Sequence, residues 1–159
     1  MRYHGRHDIR KSRGRRKAVA KGFHSAFENT AASKLTRHKI AFKYEPFKLK
    51  YFYEAPKNYT CVEDEDHKVL EWHEYTPDFL VFDKIIIETK GEFPHKDRKK
   101  MIAVKKQYPE YKIVLVFQNS ANKVSPKGLT YAKWAEKNGF YYCNLTWLVP
   151  YINDLKKKL

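Results

Sequence analysis

Cysteine is scarce in this chain: Cys61 and Cys143 are the two present, far apart and without a CxxC pair. That scarcity excludes a disulfide framework and a cysteine-built zinc site. Cys61 with His67 and His73 matches no common zinc spacing, and the stretch around them is acidic and irregular. Long apolar runs are missing as well. No stretch is long enough to span a bilayer, and no apolar core follows the N-terminal charges as it would in a secretory signal. The N-terminal arm has Ser12 as its one serine, too few for a mitochondrial presequence. No internal repeat is visible. These absences leave a cytoplasmic chain whose 159 residues fit one domain, a modest sheet covered by helices, without a second catalytic domain.

Acid is in short supply relative to base. Lys plus Arg number 33 against 18 Asp plus Glu, a formal net charge of +15, and that excess predicts a polyanionic partner, nucleic acid above all. The placement is uneven. Residues 1–21 carry nine cations, among them Arg10, Lys11, Arg13, Arg15, Arg16 and Lys17, against Asp8 alone, so the arm holds +8 and the remainder +7. A like-charged block without apolar periodicity is expected to be disordered alone and to order on phosphates, with a solubilising or host-targeting tail as the other reading. The folded domain is expected over 22–159.

Periodicity supports a mixed α/β core. Phe23, Phe27, Ala31 and Leu35 recur every four residues and predict an amphipathic helix over 22–38. Glu28 sits beside its apolar stripe; a solvent-facing helical glutamate and a functional one are equally compatible with that position. Residues 40–45 and 47–53 read as aromatic-rich strands broken by Pro46, and 54–74 as a polar excursion containing the acidic cluster 63–66. The interleaved aromatics and lysines of 48–53 suit base stacking, but alternation in a half-buried strand explains them and is preferred. Residues 96–108 predict a helix with Met101, Ile102, Val104 and Lys105 on its buried side, stopped by Pro109. A buried strand at 113–117 and a helix at 129–138 capped by Gly139 follow, then a helical tail over 145–155 around Pro150, with Lys156, Lys157 and Lys158 facing water.

The stretch YTPDFLVFDKIIIETKG at 75–91 carries the chemistry. Phe79, Leu80, Val81 and Phe82 form one β-rich run, Asp83 and Lys84 supply a turn, and Ile85, Ile86 and Ile87 lead the return run to Glu88 and Lys90. A hairpin of this kind brings the start of its first strand, Asp78, near the end of its second. Alternation sets Glu88 and Lys90 on one face with Ile86, and Ile85, Ile87 and Thr89 on the other. Two carboxylates and an ammonium then converge at one sheet end. Carboxylates select hard divalent ions that retain waters and accept substrate phosphate, so the set suits Mg²⁺, with Mn²⁺ as a substitute. Taken bare, the pattern also fits a strand entry followed by the solvated face of an edge strand. Isoleucine on both faces argues instead for a buried strand, where unpaired charges are costly.

The segment resembles the PD-(D/E)xK nucleases and, within them, the phage endonuclease I family, the T-seven type of Holliday-junction resolvase. The likeness runs over about 25–150: SAFE at 25–28, KYE at 43–45, YTPDFL at 75–80, ETKG at 88–91, DRKK at 97–100, YKIVLVF at 111–117 and YAKWAEKNG at 131–139, in the family's order and with nine residues between Asp78 and Glu88. The resemblance implies catalysis by Glu28, Asp78, Glu88 and Lys90. It implies metal ligation by Asp78, Glu88, Glu28 and Thr89, Glu28 supporting a second metal. It implies a restriction-endonuclease-like mixed sheet flanked by helices, a strand-exchanged homodimer, and recognition of four-way and other branched DNA. The chain departs from the family in its long excursion at 54–74, where the usual connection is shorter, and the turn at Asp83 and Lys84 lacks glycine. Lys96, Arg98, Lys99 and Lys100, at a helix start just after the catalytic strand, are the phosphate candidates of the folded part. A non-catalytic basic nucleic-acid-binding protein and a restriction- or transposition-type nuclease are the alternatives.

Overall fold

Three consecutive isoleucines leave a strand no polar face, so Ile85, Ile86 and Ile87 require apolar cover on both sides. The computed structural model, which describes residues 22–53 and 72–159, supplies that cover. The basic arm, Cys61, His67 and the acidic cluster lie outside the described residues. In chain order the elements are α1 (Ala26–Arg37), β1 (Phe42–Tyr44), β2 (Leu49–Phe52), β3 (Trp72–Tyr75), β4 (Phe79–Val81), β5 (Ile85–Lys90), α2 (His95–Gln107), β6 (Lys112–Phe117), α3 (Tyr131–Lys137), β7 (Tyr141–Asn144) and α4 (Leu148–Lys156).

Five strands form a mixed sheet in the order β1-β4-β5-β6-β7, antiparallel from β1 to β5 and parallel from β5 to β7. Ile85 and Ile87, with Val114 and Val116, pack against Ala31 and Leu35 of α1 and Leu148 and Ile152 of α4. Ile86, with Ile113 and Leu115, packs on the other face against Met101 and Val104 of α2 and Trp134 and Ala135 of α3. The result is the expected α/β architecture, a mixed central sheet with helices on both faces. A separate ribbon of β2 and β3 is pinned to the end of α2, where Gln107 Nε2 donates to the Phe52 carbonyl at 2.8 Å and Gln107 Oε1 accepts from the Phe52 amide at 3.2 Å.

Local signals account for most boundaries. Ser25 caps α1, its Oγ accepting from the Glu28 amide at 3.0 Å. Gly139, at φ +66°, follows α3. Pro150 falls in the first turn of α4, where its missing N–H costs no helical hydrogen bond. Lys156, Lys157 and Lys158 are exposed as expected. Cys143 is a buried free thiol, pushed up to about 12 by that burial.

Three expectations need correction, and one strand was not expected at all. Residues 72–74 belong to β3 rather than to the polar excursion, because Trp72, His73 and Glu74 pair with Phe52, Tyr51 and Lys50. Residues 141–144, not anticipated as a strand, form the parallel edge strand β7 beside β6. Ile102 is 43% exposed, since α2 turns only Met101 and Val104 fully to the sheet. The hairpin turn is centred one residue early: Phe82 and Asp83 take φ of +52° and +55°, and the Lys84 amide bonds back to the Val81 carbonyl at 3.4 Å. Two left-handed central residues make the turn of type I′ form, which matches strand twist without glycine. Phe82 holds that position because its ring packs against the core on one side and lies 4.5 Å beneath the Lys156 ammonium.

Candidate active site

Register sets the site. Phe79 pairs with Ile87, so Asp78, one residue before β4, stands beside the last residues of β5. Its Oδ2 accepts from the Thr89 amide at 2.7 Å and from Thr89 Oγ at 2.6 Å, tying the open ends of the two strands together. Glu88 and Lys90 fall on the face that Ile86 shares with α2, as alternation requires. Lys90 Nζ lies 2.9 Å from Glu88 Oε1 and 3.2 Å from Asp97 Oδ2 in the first turn of α2. Tyr75 at the end of β3 donates its hydroxyl to Glu88 Oε2 at 2.7 Å.

Burial separates these groups from ordinary surface charge. Among the described residues the buried charged side chains are Glu28, Glu88 and Lys90, at 8%, 3% and 8% exposure, and the sequence had singled out all three. Burial pushes the Asp78 carboxyl up to about 7, and repulsion from Glu88 adds to it, outweighing the Thr89 donors and Lys90. Burial pulls the Lys90 ammonium down, yet Glu88 and Asp97 together raise it above the ordinary lysine value. Tyr75 is raised well above its usual value by burial and by the Glu88 charge. Lys90 is therefore held as a cation, while Asp78, short of compensating positive charge, keeps its proton to higher pH than an ordinary carboxyl.

Glu28 is held differently. On α1, its Oε2 accepts from the Tyr44 hydroxyl at 2.7 Å and from the His24 amide at 3.0 Å. Burial, then Glu28, raises Tyr44. The link to Asp78 runs through the backbone: Tyr44 pairs with Phe79, and the Glu45 amide donates to the Asp78 carbonyl at 3.1 Å. Asp78, Glu88 and Lys90 are thus brought together, and Glu28 lies on the adjoining side of the sheet end. Among the described residues no three His, Cys, Asp or Glu side chains gather closely enough to form a ready-made metal group. The donor chemistry still fits a hard divalent ion. Mg²⁺ is commonly bound by one or two carboxylates with waters and phosphate completing the shell, and a cation would relieve the repulsion between Asp78 and Glu88.

The basic residues of α2 divide. Lys96 and Lys99 are exposed, Lys99 with its ammonium 4.4 Å over the Tyr53 ring. Lys100 stays near the site, 3.8 Å from Asp97 Oδ1 and 5.6 Å over the Tyr75 ring. Arg98 is committed to its own chain, donating to the Phe93 carbonyl. Arg10, Lys11, Arg13, Arg15, Arg16 and Lys17 lie outside the described residues. Sequence reasoning passed over Tyr75, Asp97 and Tyr44. All three stand inside the quoted motifs, but what they touch depends on tertiary pairing. The S-x-x-E of SAFE is the local signal for the Ser25 cap and so for where Glu28 falls on α1.

Comparison with known proteins bears on the whole chain. The family model for phage endonuclease I matches residues 10–159. The chain is 32% identical over 140 residues to "Endodeoxyribonuclease 1" of Enterobacteria phage T3, covering 87% of this chain and 82% of that protein. It is 32% identical over 149 residues to "Endonuclease I" of Escherichia phage T7, covering 93% and 89% respectively. No helix among the described residues is long and apolar enough to cross a membrane. A match running almost end to end, over a span that includes the buried Glu28, Glu88 and Lys90, means that this chain belongs to the phage endonuclease I family.

Proposed function

We propose that this chain is a DNA endonuclease that uses a divalent cation, Mg²⁺ or in its place Mn²⁺, and that selects four-way (Holliday) junctions and other branched DNA. The observation that carries the reading is the burial of Glu28, Glu88 and Lys90. Charges this far from water cost several kcal/mol, on the order of the whole margin of stability, and persist where chemistry needs them. A cation held by Asp78 and Glu88, with Glu28 and Thr89 in the proposed wider ligand set, would supply Lewis-acid polarisation of the phosphate and a water of lowered pKa.

The chain's own side chains do the rest. Two N–H groups of Lys90 are taken by Glu88 and Asp97, which leaves the third for a phosphate oxygen or the attacking water. Kept protonated, Lys90 steadies charge rather than accepting a proton. Water oxygen bonds to phosphorus, the bond to the 3′ oxygen breaks, and that oxygen leaves with a proton, giving 5′-phosphate and 3′-hydroxyl ends. Lys96, Lys99 and Lys100, with the arm cations Arg10, Lys11, Arg13, Arg15, Arg16 and Lys17, supply backbone contacts of the kind a +15 chain predicts; Arg98 braces the turn before α2 instead. One site makes one nick, so paired cuts across a junction require a homodimer, in the strand-exchanged form that the resemblance implies. The place of action is the cytoplasm of a host cell.

A labelled four-way junction incubated with and without Mg²⁺ tests this reading. Cutting is expected only with metal, to be lost in Asp78→Asn and Lys90→Ala, and to be weak on linear duplex of matched sequence. Unimpaired cutting by those variants removes the site assignment. Binding without any product favours the non-catalytic alternative suggested by the net charge, and equal cutting of linear duplex favours a restriction-type role.

A further inference from the structure

We infer that Tyr75 and Asp97 are positioning residues that lock Glu88 and Lys90 from opposite ends, an inference that rests on the endonuclease reading above. The four side chains form one line: Tyr75 hydroxyl to Glu88 Oε2 at 2.7 Å, Glu88 Oε1 to Lys90 Nζ at 2.9 Å, and Lys90 Nζ to Asp97 Oδ2 at 3.2 Å. They come from three elements, β3, β5 and the first turn of α2, so the line forms only when the ribbon and the helix are docked on the sheet.

The terminal torsion of a glutamate is soft and roughly two-fold, and one contact leaves it free to swing. A donor on each oxygen fixes the carboxylate plane. Tyr75, at 2% exposure, is the donor that supports Glu88 from the ribbon side. A lysine ammonium is a point charge on a flexible stem, and one carboxylate does not hold it in place. Asp97 supplies the second, with its other oxygen 3.8 Å from Lys100. Were the line merely structural, an apolar pairing of similar volume would cost less than a buried acid, amine and hydroxyl together. Outer partners of metal-binding carboxylates act in this way, fixing orientation without touching substrate.

The test uses the full chain and the variants Tyr75→Phe, which loses only a hydroxyl, and Asp97→Asn, which keeps its volume. Each is titrated with Mn²⁺ by calorimetry without DNA, and cleavage of a four-way junction is resolved into kcat and KM. Tyr75→Phe is expected to weaken Mn²⁺ binding by about 10- to 100-fold and to lower kcat by a similar factor, with KM unmoved. Asp97→Asn is expected to lower kcat by about tenfold while leaving Mn²⁺ binding at the parent value. Parent-like Mn²⁺ binding in Tyr75→Phe overturns the role of Tyr75, as does an absence of binding in the parent. Parent-like kcat in Asp97→Asn overturns the role of Asp97. A drop in melting temperature with metal binding and kcat both unchanged reduces the line to packing and overturns the inference. If the parent cuts no branched DNA, the endonuclease reading fails on its own, and the Mn²⁺ titration still decides on Tyr75.

Discussion

The hairpin of β4 and β5 has an acid–amine pair at each end, and the two are almost the same length. At the open end Lys90 and Glu88 stand 2.9 Å apart with side chains 9% and 4% exposed. At the turn Lys43 and Asp83 stand 3.0 Å apart with side chains 66% and 81% exposed. Distance does not distinguish them; water does. A pair in solvent contributes about 0 to 1 kcal/mol, whereas removing one member of a buried pair costs several, on the order of 3 to 5 kcal/mol. Function in this fold is therefore to be sought where charge is buried at a strand end, not wherever an ion pair is drawn.

The largest effect that sharpens this contrast is on cutting. Lys90→Ala is expected to lower junction cleavage by about 10²- to 10³-fold, the usual loss for one preorganised donor at a developing charge. Lys43→Ala, which removes the β1 partner of Asp83 at the turn end of the hairpin, is expected to cut at the parent rate. Single-turnover cleavage at saturating Mg²⁺ measures both, and equal losses would erase the distinction.

A second effect concerns pH. The folded state raises the Asp78 carboxyl to about 7, above an unfolded value of about 3.9. The folded chain then holds that proton more tightly than the unfolded one. The contribution to stability is fully present below pH about 4 and is lost as pH rises through about 7. Metal-free protein is expected to melt at lower temperature at pH 8 than at pH 5 on account of this group. Asp78→Asn should flatten that slope and Mg²⁺ should offset it, each kcal/mol being worth about 2 to 4 °C in a chain of this size. Calorimetric melts across that range check it; a slope unchanged in Asp78→Asn would mean that the carboxyl is not the group responsible.

Much of the contrast was legible in the sequence, for physical reasons. A run of Ile85, Ile86 and Ile87 has to be covered on both faces, and strict alternation then fixes which side of the sheet Glu88 and Lys90 occupy. Burial of the site followed from those two facts. What stayed hidden depends on contacts distant in sequence. The Tyr75 hydroxyl reaches Glu88 because β3 pairs with β2 and docks under α2, and nothing local in Trp72, His73 or Glu74 announces a strand. The four residues of β7 are too few to show a period and become a strand by lying along β6. Ile102 is apolar yet exposed because burial follows the helix's rotation on the sheet, which hydrophobicity alone does not set. Glu28 was placed on its helix correctly, but its tie to Tyr44 is a tertiary fact.

The turn itself yields the smallest and most discriminating effect. Asp83 sits at φ +55°, a conformation that glycine adopts freely and that type I′ turns favour at their second central position. Asp83→Gly relieves that strain but also removes the partner of Lys43. In the parent the two changes oppose each other, and stability is expected to move by less than about 0.5 kcal/mol. In a Lys43→Ala background the ion pair is already gone, so the same substitution should stabilise by about 0.5 kcal/mol, with cleavage unchanged. Urea midpoints of the four proteins in this cycle separate the two contributions. A net loss in the Lys43→Ala background would mean that the exposed pair was never what held the turn, and that the Asp83 carboxylate supports it through the backbone instead.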